Sequence, residues 1–194
     1  MIDLAERPVL RVDPFPHTTA MGLLPAELCA QTLTWMEAGA PWSLQIASFY
    51  EQWELHLAPE ILPVPLRGLL EPFTIHALAG AMLAPLASEQ LNLTEVTAHK
   101  LISDQTIRVH NDFLEGEETH RLLIQLNRGW SDEQGGLLML FSSPSPDDVR
   151  RIIRPLHGSA MAFPISSRSF HAVSTIRAGE RYTLVYSFRE AKSH

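Results

Sequence analysis

The pair His110-x-Asp112 sets an imidazole and a carboxylate two positions apart, and His171 follows Asp112 by 59 positions. Residues i and i+2 of a β-strand point to the same face. The segment 106–113, TIRVHNDF, reads as a strand, which would place His110 and Asp112 side by side. The segment 170–175, FHAVST, reads as another, and two such strands can be neighbours in an antiparallel barrel. His171 would then complete a set of two imidazoles and one carboxylate, a facial arrangement that leaves positions open on iron(II). Arg181 comes ten positions after His171 and opens the last strand candidate, RYTLVYSF. An inward guanidinium needs an anion, because burying it unpaired is costly, and its planar fork matches a carboxylate. Thr183 shares its face and can add a hydroxyl.

Composition narrows the alternatives. A single cysteine, Cys29, excludes an intrachain disulfide and a Cys-rich zinc site, so nine histidines and the carboxylates are the available metal ligands. Cys29 itself reads as a small core residue on a helix face. The formal charge is −7, with 15 Lys and Arg against 22 Asp and Glu, and there is no basic run. Nucleic acid is therefore not an expected partner, since phosphate binding needs clustered cations. The longest nearly uncharged apolar run, Ala77 to Ala87, falls short of the about 20 residues that span a bilayer. The opening MIDLAERPVL shows no signal-like apolar core. No membrane partner is expected, and a cytoplasmic location is the expectation.

The elements that must hold these residues divide the chain in two. Residues 1–94 read as a support region: a Pro-containing extended lead-in over 1–24, a helix over 25–38, a strand over 49–57, a Pro-rich loop over 59–68, and a helix over 72–90 kinked at Pro85, with Phe73, Ala77, Gly80 and Ala84 on one face. Residues 95–189 carry eight short β-rich runs, several separated by turn signals such as Glu115-Gly116, Gly135-Gly136 and Ala178-Gly179, which indicates a sandwich or barrel. The whole, 1–194, is expected to form a single domain.

The set His110-x-Asp112, Thr119-His120-Arg121, Leu126-Asn127, Gly135-Gly136, His171 and Arg181-x-Thr183 resembles the iron(II)/2-oxoglutarate-dependent oxygenase superfamily. Its pattern is nearest the prolyl-hydroxylase-like branch. The resemblance is strong over 95–189 and weaker over Asp13-Pro14-Phe15-Pro16 and the first helix. It implies a mainly β (α+β) fold: a double-stranded β-helix (jelly roll) core with N-terminal supporting helices. It implies that His110, Asp112 and His171 bind Fe(2+), and that Arg181, assisted by Thr183, pairs with the distal carboxylate of 2-oxoglutarate. Dioxygen is the other co-substrate, with ascorbate as an optional accessory. The implied activity is hydroxylation of an unactivated C–H, and no catalytic side chain is expected beyond the metal centre. Two departures stand out. Prolyl 4-hydroxylases often have Lys where this chain has Arg181, and commonly a Tyr shortly before the HxD pair, where this chain has Ile102, Ser103 and Gln105. The resemblance is thus to the wider branch, and proline is not fixed as the target.

Four further residues are candidates for supporting the metal or touching substrate. His120 reads as a buried or supporting histidine. Arg121 either points toward the co-substrate or braces the barrel. Trp130 either covers the substrate mouth or packs. Arg168 either meets a substrate or is a solvated loop residue. The expected partner is a peptide or protein side chain, by analogy with small peptide-tailoring oxygenases. A free amino acid or small metabolite is the alternative within the class. A non-catalytic jelly-roll or cupin-like metal-binding module is the alternative outside it, disfavoured by Arg181 and Thr183. Oligomeric state is left open.

Overall fold

The last strand shows how this sequence builds its layers. In Arg181-Tyr-Thr-Leu-Val-Tyr-Ser-Phe188 the two faces alternate without a break, and a strand of period two must bury both. Tyr182, Leu184, Tyr186 and Phe188 pack into one apolar cluster with the helices, including Leu33, Met36, Leu69, Leu78 and Met82. Arg181, Thr183, Val185 and Ser187 face the other way, into a cavity between two sheets. The second cluster lies on that side, around Leu101, Leu123, Leu138, Leu140, Phe163, Val173 and Val185.

The computed structural model describes residues 7–191; the first six residues of the lead-in and His194 lie outside them. In chain order it contains β1 (Val9–Arg11), β2 (His17–Met21), α1 (Ala26–Ala38), β3 (Ser43–Ile46), β4 (Glu51–His56), a 3-10 segment (Val64–Leu70) and α2 (Pro72–Met82). Eight strands follow: β5 (Leu91–Leu101), β6 (Ile107–His110), β7 (His120–Gln125), β8 (Leu138–Phe141), β9 (Val149–Ile153), β10 (Ser159–Pro164), β11 (His171–Val173) and β12 (Arg181–Glu190). Eight strands pair in the order β1-β2-β10-β7-β12-β5-β4-β3, and four in the order β6-β11-β8-β9. Every pairing is antiparallel. With 38% strand and 18% helix, the chain is mostly β, a jelly roll with its helices packed outside the larger sheet.

The eight runs expected over 95–189 are all strands. The support region departs from expectation in four places. The lead-in contains two paired strands, β1 and β2, held to the barrel because β2 also pairs with β10. β3 is an edge strand with all four residues exposed, so no apolar alternation marks it. The Pro-rich loop contains the 3-10 segment, which buries Leu66 and Leu69. α2 ends at Met82, so Pro85 lies beyond it and kinks nothing; Leu78 and Met82 are its buried residues, while Phe73 is 68% exposed. Cys29 is a core residue of α1, and burial pushes its thiol pKa up to about 11.

Candidate metal centre

β6 and β11 are hydrogen-bonded neighbours, and their register sets His110 opposite His171. The two rings lie with centroids 4.2 Å apart. Asp112 reaches them by a different route from the one its spacing suggests. The strand ends at His110, and Asp112 adopts the left-handed conformation with φ 59°. Asx residues tolerate this region better than most. The turn is pinned by Asn111, whose amide donates to the Ser167 carbonyl at 3.2 Å and whose Oδ1 accepts the Phe113 N–H at 3.1 Å. Ser169 Oγ donates to the Asn111 carbonyl at 3.2 Å.

The turn carries the Asp112 carboxylate between the two imidazoles. Oδ1 lies 3.3 Å from His110 Nε2, and Oδ2 lies 3.2 Å from His171 Nε2. One donor atom from each residue falls within 4.8 Å of the others. Each histidine is oriented from behind: His110 Nδ1 bonds the Arg108 carbonyl and His171 Nδ1 the Ser169 carbonyl, both at 2.8 Å. A carbonyl partner makes Nδ1 the protonated nitrogen and leaves the Nε2 lone pair for a metal. Phe49 stacks on His110 at 4.5 Å, and Phe163 meets His171 edge-on at 5.1 Å. Burial holds His171 below its ordinary pKa, aided by the neighbouring His110, which favours the neutral, ligating form. The donor set suits a divalent ion of borderline softness.

Arg121 is anchored to this group. Its Nη1 donates to Asp112 Oδ2 and its Nη2 to Glu118 Oε2, both at 2.7 Å. Burial acts to raise the Asp112 pKa, but Arg121 and the two imidazoles hold it well below the usual carboxylate range.

Arg181 lies at the far end of the same cavity, 4% exposed. Its Nη1 donates to Thr183 Oγ1 at 2.8 Å, and Thr183 passes its own proton to Gln125 Oε1 at 2.9 Å. Its Nε has no partner, and among the described residues no carboxylate pairs with it. Burial alone pushes its pKa down to about 10. A buried guanidinium met only by a neutral hydroxyl is what an incoming carboxylate would complete. The Gly135-Gly136 turn makes room for it. Gly136 has φ 63°, and a Cβ there would stand 3.0 Å from Arg181 Cδ and 2.7 Å from Ile176 Cδ1.

The cavity between the two ends has a volume of about 250 Å³. A groove of about 510 Å³ adjoins it at the metal end, lined by Phe49, Phe113, Leu114, Glu118 and Phe170.

The structure thus brings His110, Asp112, His171, Arg121, Arg181 and Thr183 to one cavity. The other three candidates lie elsewhere. His120 is buried on the helix-facing side of β7, bonded to Thr119 Oγ1 at 2.9 Å and near the Leu86 carbonyl at 3.4 Å. Trp130 packs behind Arg181, its Nε1 donating to the Gly135 carbonyl at 2.9 Å. Arg168 is exposed on the loop before His171. Sequence reasoning missed Gln125, His99 and Tyr50, and with them Gln52, Glu54, Glu95 and Ser187, all lining the cavity except Gln125. For Gln125 and Ser187 strand alternation was the available signal, since they share inward faces with Arg121 and with Arg181 and Thr183; Tyr50 and the residues of β4 and β5 had no such neighbour.

Comparison with known proteins agrees with this geometry. Residues 96–189 match the family model of the 2OG-Fe(II) oxygenase superfamily. A search of curated proteins finds no match to the sequence. Among solved structures, a Pseudomonas putida prolyl-4-hydroxylase aligns with TM-score 0.68 at 19% identity, over 91% of this chain and 93% of that one. A Trichoplax adhaerens prolyl hydroxylase, solved with a hypoxia inducible factor peptide fragment, aligns with TM-score 0.69 at 14% identity, over 90% of this chain and 83% of that one. A viral collagen prolyl hydroxylase from Paramecium Bursaria Chlorella virus-1, solved with 2OG, aligns with TM-score 0.66 at 14% identity, over 90% and 96%. The barrel thus matches the 2OG-Fe(II) oxygenase superfamily over residues 96–189 and shares its fold with the prolyl-4-hydroxylase structures. Its family implies Fe(2+), 2-oxoglutarate and O2. No helix among the described residues is long and apolar enough to cross a membrane.

Proposed function

We propose that this protein is an iron(II)- and 2-oxoglutarate-dependent dioxygenase that hydroxylates an unactivated C–H on a peptide or protein side chain. The observation that carries this reading is the pairing, in one cavity, of a His-Asp-His donor set with a buried guanidinium that has no anionic partner. A plain metal-binding barrel has no use for Arg181. A 2-oxoglutarate enzyme needs a cation there for the distal carboxylate of its co-substrate.

In this reading Nε2 of His110, Nε2 of His171 and the Asp112 carboxylate hold the metal, with Arg121 keeping that carboxylate ionised and oriented. Arg181 and Thr183 bind the distal carboxylate. Leu123, Leu138, Val173 and Val185 wall the cavity between the two ends and exclude water. Bound iron with 2-oxoglutarate and O2 supplies the oxidising chemistry: substrate C–H, 2-oxoglutarate and O2 give the alcohol, succinate and CO2. The adjoining groove, with Phe113 47% and Leu114 68% exposed at its edge, supports a peptide as the substrate.

The test is direct. Protein supplied anaerobically with iron(II) and 2-oxoglutarate should develop a visible charge-transfer band, and on admission of oxygen should form succinate. His110→Ala and His171→Ala should abolish the band. Failure of the wild-type protein to show either band or succinate would overturn the reading.

A further inference from the structure

The two sheets leave an open flank far from the metal, and that flank is basic. β1 ends the larger sheet and β9 ends the smaller, and among the described residues each is hydrogen-bonded to a single neighbouring strand. Such edges present unpaired backbone groups. A groove of about 420 Å³ lies between them, bounded by β1, β2 and β9. It shares no residue with the metal cavity. β9 stands at the opposite edge of the smaller sheet from β6, which carries His110.

In a chain of formal charge −7, Arg7, Arg11, Arg151 and Arg154 line this groove, and none of its described lining residues is acidic. Arg154 pairs with the half-exposed Asp132 at 2.6 Å. Among the described residues no ion pair joins Arg7, Arg11 or Arg151 to a carboxylate, Asp13 included. Two buried atoms beside the groove also lack partners. One is Nε of Arg151. The other is Nε2 of His17, a fully buried residue that the register sets opposite Arg11. The charges of Arg151 and Arg11 both act on this imidazole and add to burial in lowering its pKa. Buried polar atoms are rarely left unmatched, and guanidinium groups gathered without carboxylates attract an anion. The groove also exposes carbon, with Val9 47%, Met21 39% and Ile152 57% exposed. A small free anion would match the arginines but leave the apolar side chains and the strand edges unmet. An extended peptide meets all three. Nucleic acid fits less well, since no aromatic ring among the described lining residues offers a base a stacking partner.

We infer that this groove binds an extended acidic segment of a polypeptide, added as a strand along β1. The inference goes beyond the oxygenase reading and does not depend on it. The spacing on β1 specifies the segment. Arg7, Val9 and Arg11 are two apart and all line the groove. Residues opposite them on an added strand would share that face. Two acids four positions apart would then meet Arg7 and Arg11, with an apolar residue midway over Val9. Arg151 lines the same space from β9. The recognised pattern is acid-x-apolar-x-acid.

The experiment is fluorescence anisotropy of labelled heptapeptides titrated with the full chain. The acidic probe is Ser-Glu-Thr-Val-Thr-Glu-Ser. Its counterparts carry Gln for both Glu, Lys for both Glu, or the same residues with the two Glu adjacent. The acidic probe should bind about tenfold or more tighter than the Gln peptide and about threefold or more tighter than the adjacent-Glu peptide. Added salt should weaken it. Combining Arg7→Glu with Arg11→Glu, both exposed positions, should weaken the acidic probe by about tenfold or more and let the Lys peptide bind instead. The peptide comparison on wild-type protein needs no variant, so it stands if the double variant does not fold. Equal binding of the Gln or adjacent-Glu peptide, no binding of the acidic probe at about 1 mM, or unchanged binding by a folded double variant would overturn the inference. So would tighter binding of a labelled oligothymidylate, which assigns the groove to nucleic acid. A dimer in sedimentation that the double variant loses would assign it to a second copy of this chain and overturn the inference as well.

Discussion

Replacing Arg181 by Met should make the protein more stable without 2-oxoglutarate and less stable with it. The guanidinium is buried against one neutral hydroxyl, and burial lowers its pKa to about 10. Each decade of proton affinity is worth about 1.4 kcal/mol, and the ordinary value lies above about 12, so the unpaired charge costs the folded state on the order of 3 kcal/mol. Met is a flexible apolar side chain that can fill the same channel. Its introduction removes the bond to Thr183, worth about 1 kcal/mol, while Thr183 keeps its bond to Gln125. The balance is a gain of about 1–2 kcal/mol, or a Tm higher by about 2–8 °C for a chain of this size. The sign holds across neutral pH. The unfolded state binds this proton more tightly, so the penalty is complete below about pH 10 and is relieved only as pH rises through that value. With 2-oxoglutarate the order reverses. Losing one partner of a buried ion pair costs about 3–5 kcal/mol, which raises Kd by a factor of about a hundred or more. Wild-type Tm should climb with 2-oxoglutarate as mass action requires, and the variant should stay flat. Urea or thermal unfolding with and without 2-oxoglutarate measures both halves. A variant that is less stable without the ligand and keeps the ligand-dependent rise would refute the argument that Arg181 waits for a carboxylate.

Three other perturbations test particular residues. Asp112→Asn should keep the left-handed turn but cut metal affinity by about a hundredfold or more in a calorimetric titration, whereas Asp112→Ala should in addition lose about 1 kcal/mol of metal-free stability to backbone strain; equal stability of the two would show that the turn at φ 59° imposes no such preference. Gly136→Ala forces a methyl against Ile176 and Arg181, while Gly158, at φ 77°, has nothing within 4 Å of an added Cβ; Gly136→Ala should therefore be the more destabilising by about 1–3 kcal/mol and should also weaken 2-oxoglutarate binding, and similar losses at both positions would contradict the close packing. His99 faces the cavity, and burial pushes its pKa down to about 4 although Glu54 opposes the shift. The unfolded imidazole takes up its proton near pH 6.5, so stability present above that pH is lost between about 6.5 and 4, by about 3 kcal/mol. Urea unfolding of His99→Gln should show a correspondingly smaller loss between pH 7 and pH 5 than wild type.

The parts of the fold that were legible in the sequence are those where one strand carries its own information. β12 shows both faces at once, and its alternation already paired Arg181 with Thr183. His110 and His171 could be matched because each sits on a strand of the same barrel. Asp112 could not be placed correctly by the same rule: the strand stops at His110, and a left-handed Asp leaves no glycine to mark the turn. β2 escaped notice because its inward residues are His17 and Thr18, polar groups that are fully buried, Thr18 bonding the Met82 carbonyl at 2.7 Å. β3 lacked a signal because an exposed edge strand buries nothing. The roles of Trp130 and Arg121 depend on partners distant in structure, a glycine turn and a metal-ligand carboxylate, that local patterns do not encode.

The least legible feature is the polar wall of β4 and β5. In EQWELH and EVTAHKL, polar residues alternate with apolar ones, and the usual inference sends the polar face to water. Here that face is inside. Leu55, Val96 and Ala98 point to the helix layer, so Gln52, Glu54, Glu95, Thr97 and His99 must point into the barrel. Alternation separates two faces but does not say which one is wet; a larger sheet covered by helices on its outer side has no wet face along these strands except the one lining a cavity. A polar stripe kept on such a face costs stability unless it is matched by partners. Along this face Gln52 gives its amide hydrogen to Glu54 and Glu95 meets His56, whereas Arg181 has no anionic partner and Gln52 Oε1 and Ser187 Oγ have no donor. One cavity therefore joins a buried guanidinium without an anionic partner to a His-Asp-His donor set, which is what a diacid co-substrate and a metal would require.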